Sequence, residues 1–177
     1  MSERRRHAAV FTIVREEAVF LPIWLRYYGA HFAPEDIYVL HHVVPGGPED
    51  SCCDGLACNV EQRPNALFDP AWLGRVVSQK QAELLSRYRA VLFAEVDEIV
   101  VPREGSLRQS VEAFAREDGA EAAPAVACTG WEMHHEFGAE PPIDLSRPLL
   151  AQRSRWHRNT LYDKAPACHT LTLAPLP

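Results

Sequence analysis

Three carboxylates follow a short apolar run near the middle of the chain. Residues Ala90 to Ala94 are apolar, and Glu95, Asp97 and Glu98 come directly after them. Such a run is typical of a strand buried on both faces, and open α/β sheets bind ligands at the carboxyl ends of their strands. In extended backbone Glu95 and Asp97 point the same way, which would suit Mg²⁺ or Mn²⁺ holding a phosphate. The simpler interpretation is an exposed acidic turn after a core strand.

Several other apolar runs predict further strands. They are rich in β-branched and aromatic residues and are bounded by turn-forming residues. The predicted strands are Ala8–Val14, Asp36–Leu40, one around Ala57–Val60, Ala90–Ala94, Pro124–Thr129 and Leu149–Arg155. The segments expected to be irregular are His41–Gly55, the polar stretch Gly130–Glu136, Phe137–Pro148 and Trp156–Pro177.

Three segments have the apolar spacing of amphipathic helices. The first runs from about Leu21 to Gly29, and the second begins at Asp69-Pro70, an N-cap followed by proline in the first turn. The third begins at a capping box formed by Ser106 and Gln109. Strands alternating with helices predict an α/β fold with a mostly parallel central sheet and helices on both faces.

Composition and charge narrow the class of protein. The 177 residues are 47% hydrophobic and 24% charged, as in one globular domain. The net charge of −6 gives no reason to expect nucleic acid as a partner. No apolar run approaches the roughly 18 residues of a membrane span, so we expect no integral membrane segment and a cytoplasmic location. The five cysteines match no standard zinc spacing, so free thiols are expected.

Four motifs follow one another along the chain. They are Val14–Tyr28 with its Leu-Pro-Ile-Trp-Leu, the strand Asp36–Leu40, Tyr88–Glu98 with the later Pro102, and Leu161–Pro166 with the downstream His169. In this order they resemble the motifs of glycosyltransferase family 2-like proteins of GT-A fold, in the small bacterial branch. The resemblance implies one Rossmann-like domain over 1–177. Its nucleotide-binding half would be 8–104 and its acceptor-side half 105–177.

The resemblance also implies an activity, which is metal-dependent and inverting transfer of a sugar. The donor would be a nucleotide-diphosphate sugar, and the acceptor a glycan, lipid or small molecule. Asp97 and Glu95, with His169 as a further ligand, would hold Mn²⁺ or Mg²⁺ on the diphosphate. Further donor contacts are expected from Arg15, Glu17, His41, Lys80, Glu95, Trp131 and Lys164. His169 is equally well explained as a surface histidine.

Two lysines in this set have simpler explanations. Lys80 lies in the apolar stripe of the second helix, where it either reaches a ligand or extends along the surface to water. Lys164 would contact the diphosphate with Asp163 holding it in place. The alternative for Asp163 and Lys164 is an exposed ion pair.

Inverting transfer needs a group that takes the proton of the acceptor hydroxyl. Glu132 and Glu136 are the candidate carboxylates by position. Glu132 is preferred, because Gly130-Trp131 offers a close backbone approach and an aromatic platform for a sugar. His134 and His135 are alternative proton acceptors, and an ordinary polar loop is the simpler interpretation of the whole stretch.

The chain departs from the family pattern at three positions. Glu16 stands where the pattern has Asn, His41 where it has Asp, and Glu95 where it has Asp. The departures keep two other functions open. One is a catalytically degenerate member that binds a nucleotide, and the other is a metal-dependent phosphoesterase.

Overall fold

The computed structural model describes residues 5–116 and 125–168. The helices in this part of the chain are α1 (Phe20–Gly29), α2 (Pro70–Arg87) and α3 (Leu107–Arg116). The strands are β1 (Arg6–Val14), β2 (Ile37–Val43), β3 (Asn59–Pro64), β4 (Tyr88–Phe93), β5 (Ala125–Cys128), β6 (Trp131–His134), β7 (Arg155–Arg158) and β8 (Lys164–Cys168).

Six of these strands form one sheet in the order β3-β2-β1-β4-β8-β5. The pairs β1–β2, β2–β3 and β1–β4 are parallel, and β8 is antiparallel to β4. In the register, Val10 lies beside Ile37 on one side and Leu92 on the other. The expected α/β class and the mostly parallel sheet are therefore confirmed.

Alternate residues of β1 belong to two hydrophobic clusters. Val10 packs in a cluster that includes residues of α1 and α3. Ala9 and Phe11 pack in another that includes residues of α2. The burial of β1 and β4 explains their apolar sequences, because Val10, Phe11 and Val91 have no exposed surface.

The predicted helix starts are confirmed by hydrogen bonds. The Asp69 side chain accepts a bond of 2.9 Å from the Trp72 N–H at the start of α2. Before α3, the Ser106 N–H donates to Gln109 Oε1 (3.1 Å) and the Gln109 N–H donates to Ser106 Oγ (3.2 Å). These side chains satisfy N–H groups that lack a partner within the helix.

Some segments predicted to be irregular are strands, and one predicted strand is mostly a 3₁₀ turn. β2 continues to Val43, so His41 and His42 lie in a strand and not in a loop, paired with Gln62 and Arg63 of β3. The polar stretch at 131–134 is β6, which pairs with β7 in an antiparallel ribbon. Leu149–Gln152, predicted as strand, is a 3₁₀ turn. Polar side chains hid these strands, because they interrupt every apolar run; in β6, Glu132 and His134 alternate with Trp131 and Met133.

The chain divides into two compact units. The first unit runs to Val126 and resumes at Pro166, and the second unit is Ala127–Ala165. The predicted single domain with halves at 8–104 and 105–177 stays a prediction. Among the described residues, no helix is both long and apolar enough to cross a membrane.

Candidate functional site

The acidic turn after β4 presents one open carboxylate. The Glu98 N–H donates to the Glu95 carbonyl (2.9 Å), and Glu98 Oε2 accepts from the Glu95 N–H (3.3 Å). Glu98 therefore has a structural role, because its backbone and its side chain both close the turn. Asp97 is exposed and makes no hydrogen bond or ion pair with any other described residue. Its carboxylate is therefore available to a cation.

The expectation that the Glu95 and Asp97 side chains point the same way rests on a backbone conformation that the structure does not have. That expectation required extended backbone, but β4 ends at Phe93 and residues 95–98 form a turn. The alternation of side chains applies to a strand and does not extend through a turn. Glu95 is half-buried while Asp97 is exposed. Asp97 is thus the leading candidate for a metal ligand on this segment.

Helix α1 holds the acidic turn in place. The Tyr28 hydroxyl donates to the Glu98 carbonyl (3.3 Å) and accepts from the Val100 N–H (3.1 Å). The Tyr27 hydroxyl donates to the Val100 carbonyl (2.8 Å). Both tyrosines belong to α1, the helix that follows β1. Hydrogen bonds from α1 therefore fix the position of the turn that follows β4.

A second acidic centre lies at the carboxyl ends of β1 and β2. Asp50 Oδ2 accepts from the Glu16 N–H (2.7 Å) and is 2.8 Å from His41 Nε2, while Oδ1 accepts from the Cys52 N–H (3.0 Å). Burial alone would raise the pKa of Asp50. The bonds from Cys52, Glu16 and His41 outweigh that effect and hold its pKa well below the usual range. Asp50 is therefore an ionised, hydrogen-bonded link between two strand ends.

A pocket of about 280 Å³ opens beside this link. Its lining comes from the end of β1, the end of β2, the following loop and β3. The lining residues are Arg15, Glu16, His41, His42, Val43, Val44, Pro48, Glu49, Asp50, Asp54 and Gln62. The pocket lies at the sheet edge where parallel α/β sheets bind ligands.

His41 and Lys80, both predicted to contact the donor, are buried and paired within the protein. His41 is 4% exposed and its Nε2 faces Asp50. Lys80 is 1% exposed, so the interpretation that it extends to water is wrong. Its ammonium is bonded to Glu61, lies 3.1 Å from Glu83 and sits 4.5 Å from the centre of the Tyr38 ring. This geometry gives Lys80 a structural role and does not support its predicted donor contact.

The other predicted residues near β1 are accessible. Arg15 is exposed and lines the pocket, with its guanidinium 3.4 Å from Glu16. Glu17 accepts from the Val19 N–H (3.1 Å) and the Phe20 N–H (2.9 Å), which caps the start of α1. The proposed contact of Glu17 with the nucleoside stays a prediction.

Glu16 has an unusual backbone conformation for its residue type. Its φ is 50°, in the left-handed region that Asn adopts more readily than Glu. Glu16 therefore occupies a position whose backbone conformation favours Asn over Glu, which the sequence alone did not indicate.

In the second unit, a carboxylate and two imidazoles meet on one face of the β6–β7 ribbon. Glu132 is opposite His157 in the register, with Glu132 Oε2 3.0 Å from His157 Nε2. His157 Nδ1 is hydrogen-bonded to His134 Nε2, and their rings stack with centres 4.4 Å apart. Asn159 Nδ2 donates to Glu132 Oε1 (3.1 Å). The result is a carboxylate in close contact with one imidazole, which is hydrogen-bonded to a second imidazole.

This group of side chains can accept a proton. In one tautomer His157 Nδ1 accepts the Nε2 proton of His134. Nδ1 of the half-exposed His134 is then left as a proton acceptor. A carboxylate with two imidazoles is also a donor set for divalent transition metals.

The remaining candidates of the second unit lie around this ribbon. Glu136 is exposed and paired with Arg155 (2.9 Å), and His135 is exposed beside it. A pocket of about 460 Å³ is lined by His134, His135, Glu136, Arg155 and Trp156. Trp131 is 56% exposed, which leaves it accessible as an aromatic platform.

The close approach at Gly130 involves the chain itself. A Cβ at this position would lie 2.5 Å from Tyr162 Cβ and 2.7 Å from the Asn159 carbonyl oxygen. Glycine is therefore needed for packing within the chain. The expected close approach of a sugar to the backbone is not needed to explain it. Its N–H donates to Asp163 Oδ1 (2.8 Å).

The last motif is described only in part. Asp163 also pairs with Arg158, with Arg158 Nη2 2.5 Å from Asp163 Oδ2, and this bond lowers the pKa of Asp163. Lys164 is half-buried at the start of β8. His169, the predicted third metal ligand, lies outside the described residues.

One further group of ligand-type side chains was missed by the sequence analysis. His41, Cys52 and Cys53 have donor atoms within 4.8 Å of one another, next to Asp50. No spacing rule predicted it, because one ligand lies in β2 and the others in the loop that follows. Comparison of the chain with protein-family models and with curated proteins finds no match.

Proposed function

We propose that the chain is a metal-dependent, inverting glycosyltransferase of GT-A type that uses a nucleotide-diphosphate sugar as donor. The observation that carries this proposal is the exposed Asp97 carboxylate, which no described residue engages and which follows a buried parallel strand. An open carboxylate at this edge of a sheet suits a divalent cation and the phosphates bound to it.

The order of the parallel strands supports the same assignment. From β1 the chain adds β2 and then β3 on one side, and later β4 on the other side. Ligands of open α/β sheets bind where the order reverses in this way, between the carboxyl ends of β1 and β4. Arg15 to Glu17 and Glu95 to Asp97 follow these two strands. The packing of alternate β1 residues with different helices fits a Rossmann-like sheet with helices on both faces.

Each part of the donor has a candidate site in the first unit. We assign the diphosphate to the acidic turn, with Asp97 and the neighbouring Glu95 as ligands of Mn²⁺ or Mg²⁺. The cation would offset the charge that develops on the leaving diphosphate. We assign the nucleoside to the pocket at the ends of β1 and β2, where Arg15 is accessible. His41 acts indirectly, because its Nε2 is directed to Asp50 and not to the pocket.

Glu132 and Glu136 stay the predicted proton acceptors of this proposal. During inverting transfer the acceptor hydroxyl attacks the anomeric carbon, its proton passes to a base, and the diphosphate leaves. Glu132 remains the favoured carboxylate and His134 an alternative proton acceptor, with His157 3.0 Å from Glu132 and hydrogen-bonded to His134. Glu136 is the less favoured carboxylate, since Arg155 neutralises it. Lys164 and Trp131 stay predicted donor contacts, and the cytoplasmic location stays a prediction.

The binding step is tested by calorimetry with Mn²⁺ and a panel of nucleoside diphosphates. We expect one diphosphate to bind only when Mn²⁺ is present, and Asp97→Asn to weaken that binding at least tenfold. Glu104→Gln changes an exposed carboxylate a few residues further on and should bind as the wild type does. Binding that Asp97→Asn leaves unchanged would contradict the proposal.

A nucleotide-binding protein without transferase activity is the second candidate. It is favoured by His41, which replaces the base-contacting Asp of the family pattern and is enclosed by Asp50. Donor hydrolysis measured on the nucleotide-sugar that corresponds to the bound diphosphate separates the two functions. Turnover that disappears in Asp97→Asn indicates a transferase, and metal-dependent binding without turnover indicates the degenerate member.

A further inference from the structure

Four side chains of metal-binding type converge after β2. Cys52 Sγ lies 3.7 Å from Cys53 Sγ, 3.5 Å from Asp50 Oδ2 and 4.0 Å from His41 Nε2. His41 Nε2 and Asp50 Oδ2 are 2.8 Å apart. The two sulfur atoms and the imidazole nitrogen therefore lie within 4.8 Å of one another, and the Asp50 carboxylate borders the group on the side of His41 and Cys52.

Two of these separations match those of a tetrahedral zinc site. Zn–S bonds of about 2.3 Å and Zn–N or Zn–O bonds of about 2.0 to 2.2 Å place the ligand atoms of a tetrahedron about 3.3 to 3.8 Å apart. The Cys52–Cys53 and Cys52–Asp50 distances fall within that range. The His41–Asp50 hydrogen bond would lengthen by about half an ångström as the metal replaces the shared proton.

The chemistry and burial of the group select the metal. The His41 side chain is 5% exposed, that of Asp50 is 13% exposed, and Cys53 is 6% exposed. Thiolates with imidazole favour zinc, whereas Mg²⁺ and Mn²⁺ favour sites built from oxygen. Backbone N–H groups of Glu16 and Cys52 already orient the Asp50 carboxylate, as the outer hydrogen bonds of metal sites do.

We propose that His41, Cys52 and Cys53 hold a structural zinc ion and that the Asp50 carboxylate, which lies beside His41 and Cys52, moves to close the site as the fourth ligand. Four protein ligands complete a tetrahedron and leave no position for substrate. The metal would fasten the loop after β2 to the carboxyl ends of β1 and β2. Since Pro48, Glu49 and Asp54 of that loop line the 280 Å³ pocket, zinc would fix the pocket wall. This site is separate from the cation at Asp97 and does not depend on the glycosyltransferase proposal.

Cobalt substitution in the full chain tests this site. Protein freed of metal by a chelator under reducing conditions is titrated with Co²⁺ and then with Zn²⁺. We expect one Co²⁺ per chain with a thiolate-to-cobalt charge-transfer band and intense tetrahedral d–d bands, all removed by Zn²⁺. Cobalt bound by Glu132, His134 and His157 would lack the thiolate band, because that group has no sulfur.

Matched cysteine variants identify the ligands. Cys52→Ser and Cys53→Ser should lose the thiolate band, while Cys58→Ser and Cys128→Ser should keep it, since those free thiols lie outside the group. Asp97→Asn should also keep it, so failure of this site and failure of the nucleotide site are distinguishable. A folded wild-type chain that shows no thiolate band would overturn the proposal, and so would a band that survives in both Cys52→Ser and Cys53→Ser.

A measurement on the wild type covers variants that do not fold. Alkylation of each cysteine is followed by mass spectrometry with and without Zn²⁺. We expect Zn²⁺ to slow alkylation of Cys52 at least tenfold and to leave Cys128 unchanged. Equal alkylation of Cys52 in both conditions overturns the proposal.

Discussion

Asp50 follows β2 and Asp97 follows β4, at the same edge of the sheet. The surroundings of their two carboxylates are opposite. Asp50 is nearly buried and accepts bonds from two backbone N–H groups beside the His41 ring. Asp97 is exposed and has no partner among the described residues. Because backbone N–H groups hold the first carboxylate, it fastens the loop after β2 to the strand ends, whereas the second carboxylate is open to solvent. Hydrogen bonding thus separates a carboxylate that is held within the protein from one that is left accessible.

Lys80 extends this comparison to a positive charge and should give the largest effect on stability. Its buried ammonium is engaged by Glu61 and Glu83. We expect Lys80→Ala to lower the free energy of unfolding by about 3 kcal/mol, because it empties the buried space that the lysine side chain fills and removes the ammonium shared by Glu61 and Glu83. Arg116→Ala breaks the exposed pair with Glu112 and should cost about 0.5 kcal/mol or less. Urea unfolding followed by circular dichroism measures both, and equal losses would remove the distinction.

Asp50→Ala tests the comparison itself. In metal-free buffer we expect it to lower the free energy of unfolding by about 2 kcal/mol, because two backbone N–H groups and His41 lose their acceptor. Asp97→Ala should change stability by about 0.5 kcal/mol or less, as an exposed residue without partners does. The same urea titrations decide the matter. An Asp97→Ala variant as destabilised as Asp50→Ala would show that Asp97 is structural.

Glu16→Asn should give the smallest effect, and in the opposite direction. Asn tolerates the left-handed φ of 50° better than Glu does, so the variant should be more stable by about 0.5 kcal/mol. Glu16→Gln removes the charge without relieving the backbone and should match the wild type. Thermal unfolding compares the three proteins. A gain in Glu16→Gln as large as that in Glu16→Asn would assign the effect to charge and not to φ.

The sequence predicts the fold better than it predicts the site. Apolar runs and local caps, such as the Asp69 cap of α2, are encoded within a few residues, so they are readable. The ribbon strands were missed because Trp131–His134 and Arg155–Arg158 carry polar residues on an exposed ribbon. The strand predicted at Ala90–Ala94 is present as β4. The turn that follows it was not predicted, because it depends on a hydrogen bond from the Glu95 N–H to the Glu98 carboxylate.

Long-range partners account for the other differences. Lys80 is buried because Glu61 of β3 reaches it, and no helical pattern contains that partner. His41 joins Cys52 and Cys53 only because the loop after β2 folds back on the strand. Contacts of this kind depend on the path of the chain, so spacing rules do not reveal them.

The cation at Asp97 is the central claim, and Mn²⁺ reports on it directly. The water-proton relaxation rate of Mn²⁺ is measured with the protein, with a nucleoside diphosphate and with both. We predict that relaxation is enhanced most in the mixture of all three, since the ion is then held between Asp97 and the phosphates. Asp97→Asn should abolish that enhancement, while Glu104→Gln should keep it. Full enhancement in Asp97→Asn would contradict the account.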